Sequence, residues 1–126
     1  MPTKSKRLLI SVLAIVLFSG CIKQIAREET RQRSPREKAS LQLTEEGRQL
    51  LAKDKPDQAI RLLEQAIGLN PDNGRCYYYL AEAWLQKGNP SQAGQFNSLA
   101  ENYFKKDKDW KTRIENQADR IRRLAK

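Results

Sequence analysis

The chain has 126 residues, with 24 Lys and Arg against 15 Asp and Glu and a formal net charge of +9. That length holds one small domain once any non-globular segment is set aside. His is absent, and the two Cys, Cys21 and Cys76, form no CxxC or Cys/His pattern, so no catalytic, metal or cofactor site is expected.

Lys4, Lys6 and Arg7 open the chain, Leu8 to Phe18 follow with only Ser11 polar, and Ser19 and Gly20 precede Cys21. A charged start, a short apolar run and a small-residue zone are the parts of a secretory signal. Eleven residues at about 1.5 Å each span roughly 16 Å, about half the hydrocarbon core of a bilayer, so a transmembrane helix is the poorer reading. The stretch Leu17-Phe18-Ser19-Gly20-Cys21 resembles the lipobox of bacterial lipoproteins. Ser19 and Gly20 hold its small positions and Cys21 its lipid-accepting one, while Phe18 stands where that family usually has Leu. The resemblance implies removal of residues 1–20 and membrane attachment through acylated Cys21. With Ile22 rather than Asp next, it also implies the periplasmic face of the outer membrane in the bacterial envelope. An uncleaved signal anchor and plain secretion are the alternatives. If Cys21 carries lipid, Cys76 is the only thiol left, expected as a small buried apolar residue.

Residues 21–39 read as the lipidated Cys and a flexible tether. Beyond Cys21 the segment has only Ile22, Ile25, Ala26 and Ala39 as apolar residues, its charge is net basic, and Ser34-Pro35 is expected to interrupt any helix. Such basic residues either lie on anionic head groups or are simply solvated.

From there the chain repeats itself. KDKPDQA at 53–59 recurs as KGNPSQA at 87–93, and the pairs Leu43/Tyr77, Gly47/Ala81, Leu50/Trp84, Leu51/Leu85 and Ala66/Ala100 share the same displacement of 34. That period marks a helical-hairpin repeat. Leu43, Gly47, Leu50 and Leu51 form one stripe on a helix ending near Lys53. Pro56 and Pro90 fit the first turns of the next helices, Asn89 fits an N-cap, and Gly88 fits the position just past a helix end. Ala59 and Ala66 let the paired helices approach closely. The final segment puts Trp110, Ile114, Ala118, Ile121 and Ala125 on one stripe, predicting a helix that closes the open end of the stack, with Trp84 and Trp110 in the packing.

These positions resemble the tetratricopeptide repeat. The resemblance implies an all-α solenoid of two hairpins, residues 40–73 and 74–107, and a capping helix over 108–126. Glu46 stands where the family has an apolar residue and Asn97 where it has an aromatic one, so looser packing is expected there. Two hairpins fall short of the three or so repeats a stable stack usually needs, so a bound partner or a second copy is expected to complete it.

In that family, partner segments lie in a concave groove lined by the first helix of each hairpin. Carried over by position, the groove is Leu41, Thr44, Arg48 and Leu51 from the first repeat, Arg75, Tyr78, Glu82 and Leu85 from the second, and Arg113, with Thr112 and Asn116, from the cap. Leu41, Leu51, Tyr78 and Leu85 would make an apolar strip for a short amphipathic segment, or the strip is covered by the tether or a second copy. Charged residues at Tyr78 and Leu85 would then block capture without unfolding. One subtype grips C-terminal carboxylates with Lys, Asn and Arg; with Thr44, Arg48, Tyr79 and Asp109 at its positions and only Arg113 agreeing, no such clamp is expected.

The function implied is a non-enzymatic, lipid-anchored adaptor for another envelope protein, with assembly of a secretion, pilus or outer-membrane complex as the setting such small lipoproteins suggest. The alternative is a structural lipoprotein that meets anionic lipid or cell wall through its basic end, where residues 105–126 carry nine basic and four acidic side chains. No nucleic-acid motif accompanies the charge, and no nucleic acid is expected as partner.

Overall fold

A computed structural model describes residues 32–126; residues 1–31, on which the expected signal, Cys21 and most of the expected tether fall, lie outside the described residues. The described residues form five α-helices and no strand: α1 (Pro35–Ala52), α2 (Pro56–Leu69), α3 (Gly74–Gln86), α4 (Pro90–Tyr103) and α5 (Lys108–Leu124). Three-residue links join α1 to α2 and α3 to α4, and each such pair packs most extensively on itself. Contacts of α2 and α1 with α3, and of α5 with α4 and α3, stack these units in chain order.

The helix ends follow the 34-residue register. Each first helix closes in a Schellman motif: Lys55 N–H donates to Leu50 O at 2.9 Å and Asn89 N–H to Trp84 O at 2.9 Å. The left-handed residue this closure needs is Gly88 at φ 73 in the second repeat and Asp54 at φ 56 in the first. Pro56 and Pro90 each occupy a first turn, and Asn89 accepts from Gln92 N–H at 3.1 Å, as expected of an N-cap. The tether, however, ends earlier than expected. Ser34 caps α1 in a capping box with Glu37, accepting from Glu37 N–H at 3.2 Å while the Glu37 carboxylate accepts from Ser34 N–H at 2.7 Å. Pro35 sits in the first helical turn, where its missing N–H is harmless, so Ser34-Pro35 starts a helix and residues 35–39 belong to it.

Small residues set how closely the helices meet. Ala59, Ala66, Ala93 and Ala100 are fully buried. At Gly47 a Cβ would lie 2.8 Å from Leu63 Cγ and 2.9 Å from its Cδ2, so the absent side chain admits the fully buried Leu63. Leu51, Ile60, Leu63, Cys76, Leu80 and Ala83 fill the main core with Ala59 and Ala66. Cys76 is buried as expected, its Sγ donating to Leu63 O at 3.0 Å, and burial pushes its thiol up to about 11.

Two buried polar knots replace apolar packing. Between the hairpins, Asn73 Nδ2 donates to Ser40 Oγ and Thr44 Oγ1, both at 2.9 Å, and Ser40 Oγ donates to Ala66 O at 2.8 Å. At the capped end, Asn97 is buried and hydrogen-bonded where the family has an aromatic residue, and it also lines a cleft between α4 and α5. Its Nδ2 donates to Ile114 O at 3.0 Å and to Gln117 Oε1 at 2.9 Å. Gln117 is fully buried on the stripe of α5, and its Nε2 donates to Tyr78 O at 3.0 Å and Glu82 Oε1 at 2.8 Å. No buried side-chain polar atom among the described residues lacks a partner. Glu46 escapes burial too, half-exposed and accepting from Gln42 Nε2 at 3.1 Å.

The cap extends the register by a further 34 residues. Where Leu43 and Tyr77, Gly47 and Ala81, and Leu50 and Trp84 face their own second helix, α5 has Lys111, Glu115 and Ala118. Lys111 and Glu115 are exposed and pair at 3.8 Å, so α5 stands as the first helix of a third unit with a solvated outer face. Trp110 is half-buried, Ile114 and Ile121 are buried, and Ala125 at the end of the expected stripe is exposed.

Candidate functional site

A cavity of about 340 Å³ opens between α1, α3 and the start of α5, the three helices in first-helix register. Leu41, Thr44 and Glu45 line it from α1, Arg75 and Tyr79 from α3, and Asp107, Asp109, Trp110 and Arg113 from the α4–α5 link and α5. Trp110 is its centre. Phe104 stacks on the Trp110 ring at 4.7 Å, Tyr78 meets it edge-on at 5.3 Å, and Tyr79 does so at 6.5 Å. The guanidinium carbons of Arg75 and Arg113 lie 5.5 and 5.1 Å from the centroid of the same ring, within cation–π reach.

The charges around this cluster divide into committed and uncommitted groups. Arg48 Nε and Nη2 donate to the two carboxylate oxygens of Glu45 at 2.9 and 2.6 Å, and this guanidinium pulls the Glu45 carboxyl down to about 2. Asp107 caps α5, accepting from the N–H groups of Asp109 and Trp110 at 3.1 Å each. Glu82 accepts two bonds from Arg120, at 2.7 and 2.9 Å, besides that from Gln117. By contrast, neither Arg75 nor Arg113 has a hydrogen-bond acceptor or carboxylate partner among the described residues. Burial pushes the Tyr78 and Tyr79 hydroxyls up, so both are neutral donors at ordinary pH.

Of the residues predicted for the groove, Leu41, Thr44, Arg75 and Arg113 line this cavity. Thr44 does so from a buried position, its hydroxyl donating to Ser40 O at 2.8 Å and accepting from Asn73. Arg48 borders it through Glu45, and Tyr78, outside the lining, meets both Trp110 and Tyr79 edge-on at 5.3 Å. Leu51 and Leu85 are not part of an exposed apolar strip. They are 7% and 6% exposed, because each lies near the end of its helix and is covered by the first helix of the next unit. Leu51 packs with Cys76, Leu80 and Ala83 of α3, and Leu85 with Ile121 of α5. A charge at Leu85 would therefore damage the cap itself, and Glu82 is held by α5 rather than offered to a partner. Thr112 and Asn116 are exposed outside the lining. Tyr79 and Asp109 line the cavity from positions that the carboxylate-gripping subtype uses, whereas Trp110, Glu45 and Asp107 are lining residues that position alone does not single out; the aromatic character of Trp110 beside Arg113 was the available signal.

A second cleft of about 620 Å³ runs between α4 and α5, with Phe104, Ile114 and Ala118 at its floor and Lys105, Lys111, Glu115, Asp119 and Arg122 among its rim. The basic end of the chain is less free than its composition suggests. Arg120 is bound to Glu82, Arg122 is paired with Asp119, and Lys111 is paired with Glu115. Among the described residues no helix is long and apolar enough to cross a membrane.

The family model described as tetratricopeptide repeat matches residues 50–113, just over half of the 126 residues. No curated protein and no solved structure matches the chain. The match begins in the last turn of α1 and ends within α5, so it takes in the cavity's α3 and α5 walls but not Leu41, Thr44 and Glu45, and repeats of this kind generally mediate protein–protein interaction. Helical hairpins in a 34-residue register and the matching family model together establish that the chain belongs to the tetratricopeptide repeat family.

Proposed function

We propose that the chain is a non-enzymatic adaptor, held in the bacterial envelope by lipid on Cys21, that captures a segment of another envelope protein in the groove around Trp110. The outer membrane's periplasmic face is the proposed location, from Ile22 after the acceptor Cys. The observation that carries the adaptor reading is the open cavity between first-register helices, where Arg75, Arg113, Tyr79 and Leu41 remain available to a ligand. A short peptide segment fits such a site, with apolar contact from Leu41 and aromatic contact from Tyr79 and Trp110. The anchor reading rests on the signal-like run before Cys21. Two or more acyl chains hold a protein stably on a bilayer, since each buried methylene contributes about 0.8 kcal/mol.

Two variants test the halves separately. Cys21→Ser should end incorporation of labelled palmitate and release the protein from the membrane fraction; continued labelling or sedimentation contradicts the anchor. Leu41→Arg should end partner capture from detergent-solubilised envelope while the helical melting profile stays that of wild type. Capture unchanged by Leu41→Arg removes the groove from the account.

A further inference from the structure

We infer that the groove selects partner segments by an acidic side chain, Asp or Glu, set beside an apolar one, and that Arg75 and Arg113 jointly hold its carboxylate. This rests on the groove reading above and adds the chemistry of the ligand. Arg75 comes from α3 and Arg113 from α5, yet both guanidinium groups lie over one ring, that of Trp110. Stacking on an indole fixes a guanidinium plane while leaving its N–H edges unspent, and those edges match the two oxygens of a carboxylate. No acceptor among the described residues takes them up, although every other lining charge except Asp109 is engaged: Glu45 with Arg48 and Gln49, and Asp107 with the first turn of α5.

The balance of charge favours a singly charged group. Two guanidinium groups face three wall carboxylates, of which Glu45 is paired with Arg48 and Asp107 caps α5, leaving Asp109 uncommitted. A side-chain carboxylate is attracted to that pair, whereas a doubly charged phosphate would meet more repulsion from Asp109 and Glu45. Leu41, half-buried on the α1 side, and the ring of Tyr79 supply the apolar wall for the neighbouring residue. The α4–α5 cleft offers no comparable pair of free cations, because its Lys111 and Arg122 are already paired and only Lys105 is left.

The test is selection of random twelve-residue peptides on the full acylated chain in detergent, followed by affinity measurements with one enriched peptide. Enriched peptides should share an Asp or Glu next to an apolar residue. Arg75→Gln with Arg113→Gln should weaken the chosen peptide about tenfold or more, as expected for a lost charge-assisted pair. The peptide's own Glu→Gln (or Asp→Asn) version should bind wild type about as weakly, with little further loss on the double variant, and Leu41→Arg should remove binding of either peptide. Loss on Leu41→Arg but unchanged binding on the double Gln variant overturns the acidic selection and leaves the groove standing. Binding indifferent to all three substitutions, or no enrichment at all, overturns the groove and the inference together. Selective, Leu41-dependent binding of a peptide copying residues 22–33 assigns the site to the chain's own tether and likewise overturns the partner.

Discussion

Gly47→Ala and Gly68→Ala are the same chemical change on two helices and should move stability in opposite directions. In a helix interior Ala is favoured over Gly by roughly 0.5–1 kcal/mol, because Gly gives up more backbone freedom on folding. At Gly68 a Cβ meets nothing within 4 Å, so that gain should appear, at about 0.5 kcal/mol this close to the end of α2. At Gly47 the added carbon would sit 2.8 Å from Leu63 Cγ, inside any real contact distance, and Leu63 is fully buried with its neighbours in van der Waals contact. Overpacking of this kind costs about 1–3 kcal/mol, which exceeds the helix gain and leaves Gly47→Ala about 1–2 kcal/mol less stable. The second repeat shows the alternative solution, with Ala81 in the place of Gly47 and Asn97 in the place of Leu63. Urea unfolding followed by far-ultraviolet circular dichroism reads both changes. With a slope of roughly 1–2 kcal/mol per molar urea for a domain this small, the two midpoints should separate by about 1 M. A Gly47→Ala protein as stable as Gly68→Ala would refute the close packing of α1 on α2.

Other substitutions probe the caps, the core thiol and the buried polar contacts. Asp54→Gly relieves a non-glycine residue at φ 56 and should raise stability by about 0.5–1 kcal/mol in the same urea assay, whereas a loss would mean the Asp54 side chain supports the turn. Cys76 stays protonated while folded, its thiol pushed up to about 11, so a thiol reagent at mildly alkaline pH should label it only once urea unfolds the chain; prompt labelling contradicts its burial. Gln117→Leu deletes three hydrogen bonds to Asn97, Tyr78 and Glu82 and should lower stability by about 2 kcal/mol. Adding Asn97→Leu should recover part of that loss, since an apolar pair leaves no buried amide behind; a further fall in the double variant would show that the site cannot close around apolar groups.

Much of the fold was legible because the repeat dictates helix ends. Pro56, Pro90, Gly88 and Asn89 each need a specific backbone position, and the displacement of 34 carries that position from one hairpin to the next. The same logic was available at Ser34-Pro35-Arg36-Glu37, whose spacing is that of a capping box, but read singly the proline looked like a break. Gln117 lies three residues past Ile114 and four before Ile121, on the buried stripe, so periodicity alone marks the position; its amide hides it, because burial depends on Asn97 and Glu82 arriving from two other helices. The groove was legible where it depends on helix face and not where it depends on depth. Leu41 and Leu51 share a face of α1, yet only Leu51 lies where α3 covers it. Trp110 meets Arg113 at the i+3 spacing of α5, but it gathers Phe104, Tyr78 and Arg75 through approaches that no spacing within α5 encodes.

The most direct measurement is photocrosslinking in intact cells from a benzoylphenylalanine placed at Leu41, inside the groove, against one placed at Leu99, which is 43% exposed and outside the lining. The account predicts a discrete adduct with another envelope protein from position 41, diminished by Arg75→Gln with Arg113→Gln, and none from position 99. Equal crosslinking from both positions, or an adduct only from position 99, would contradict the groove as the surface through which this chain acts.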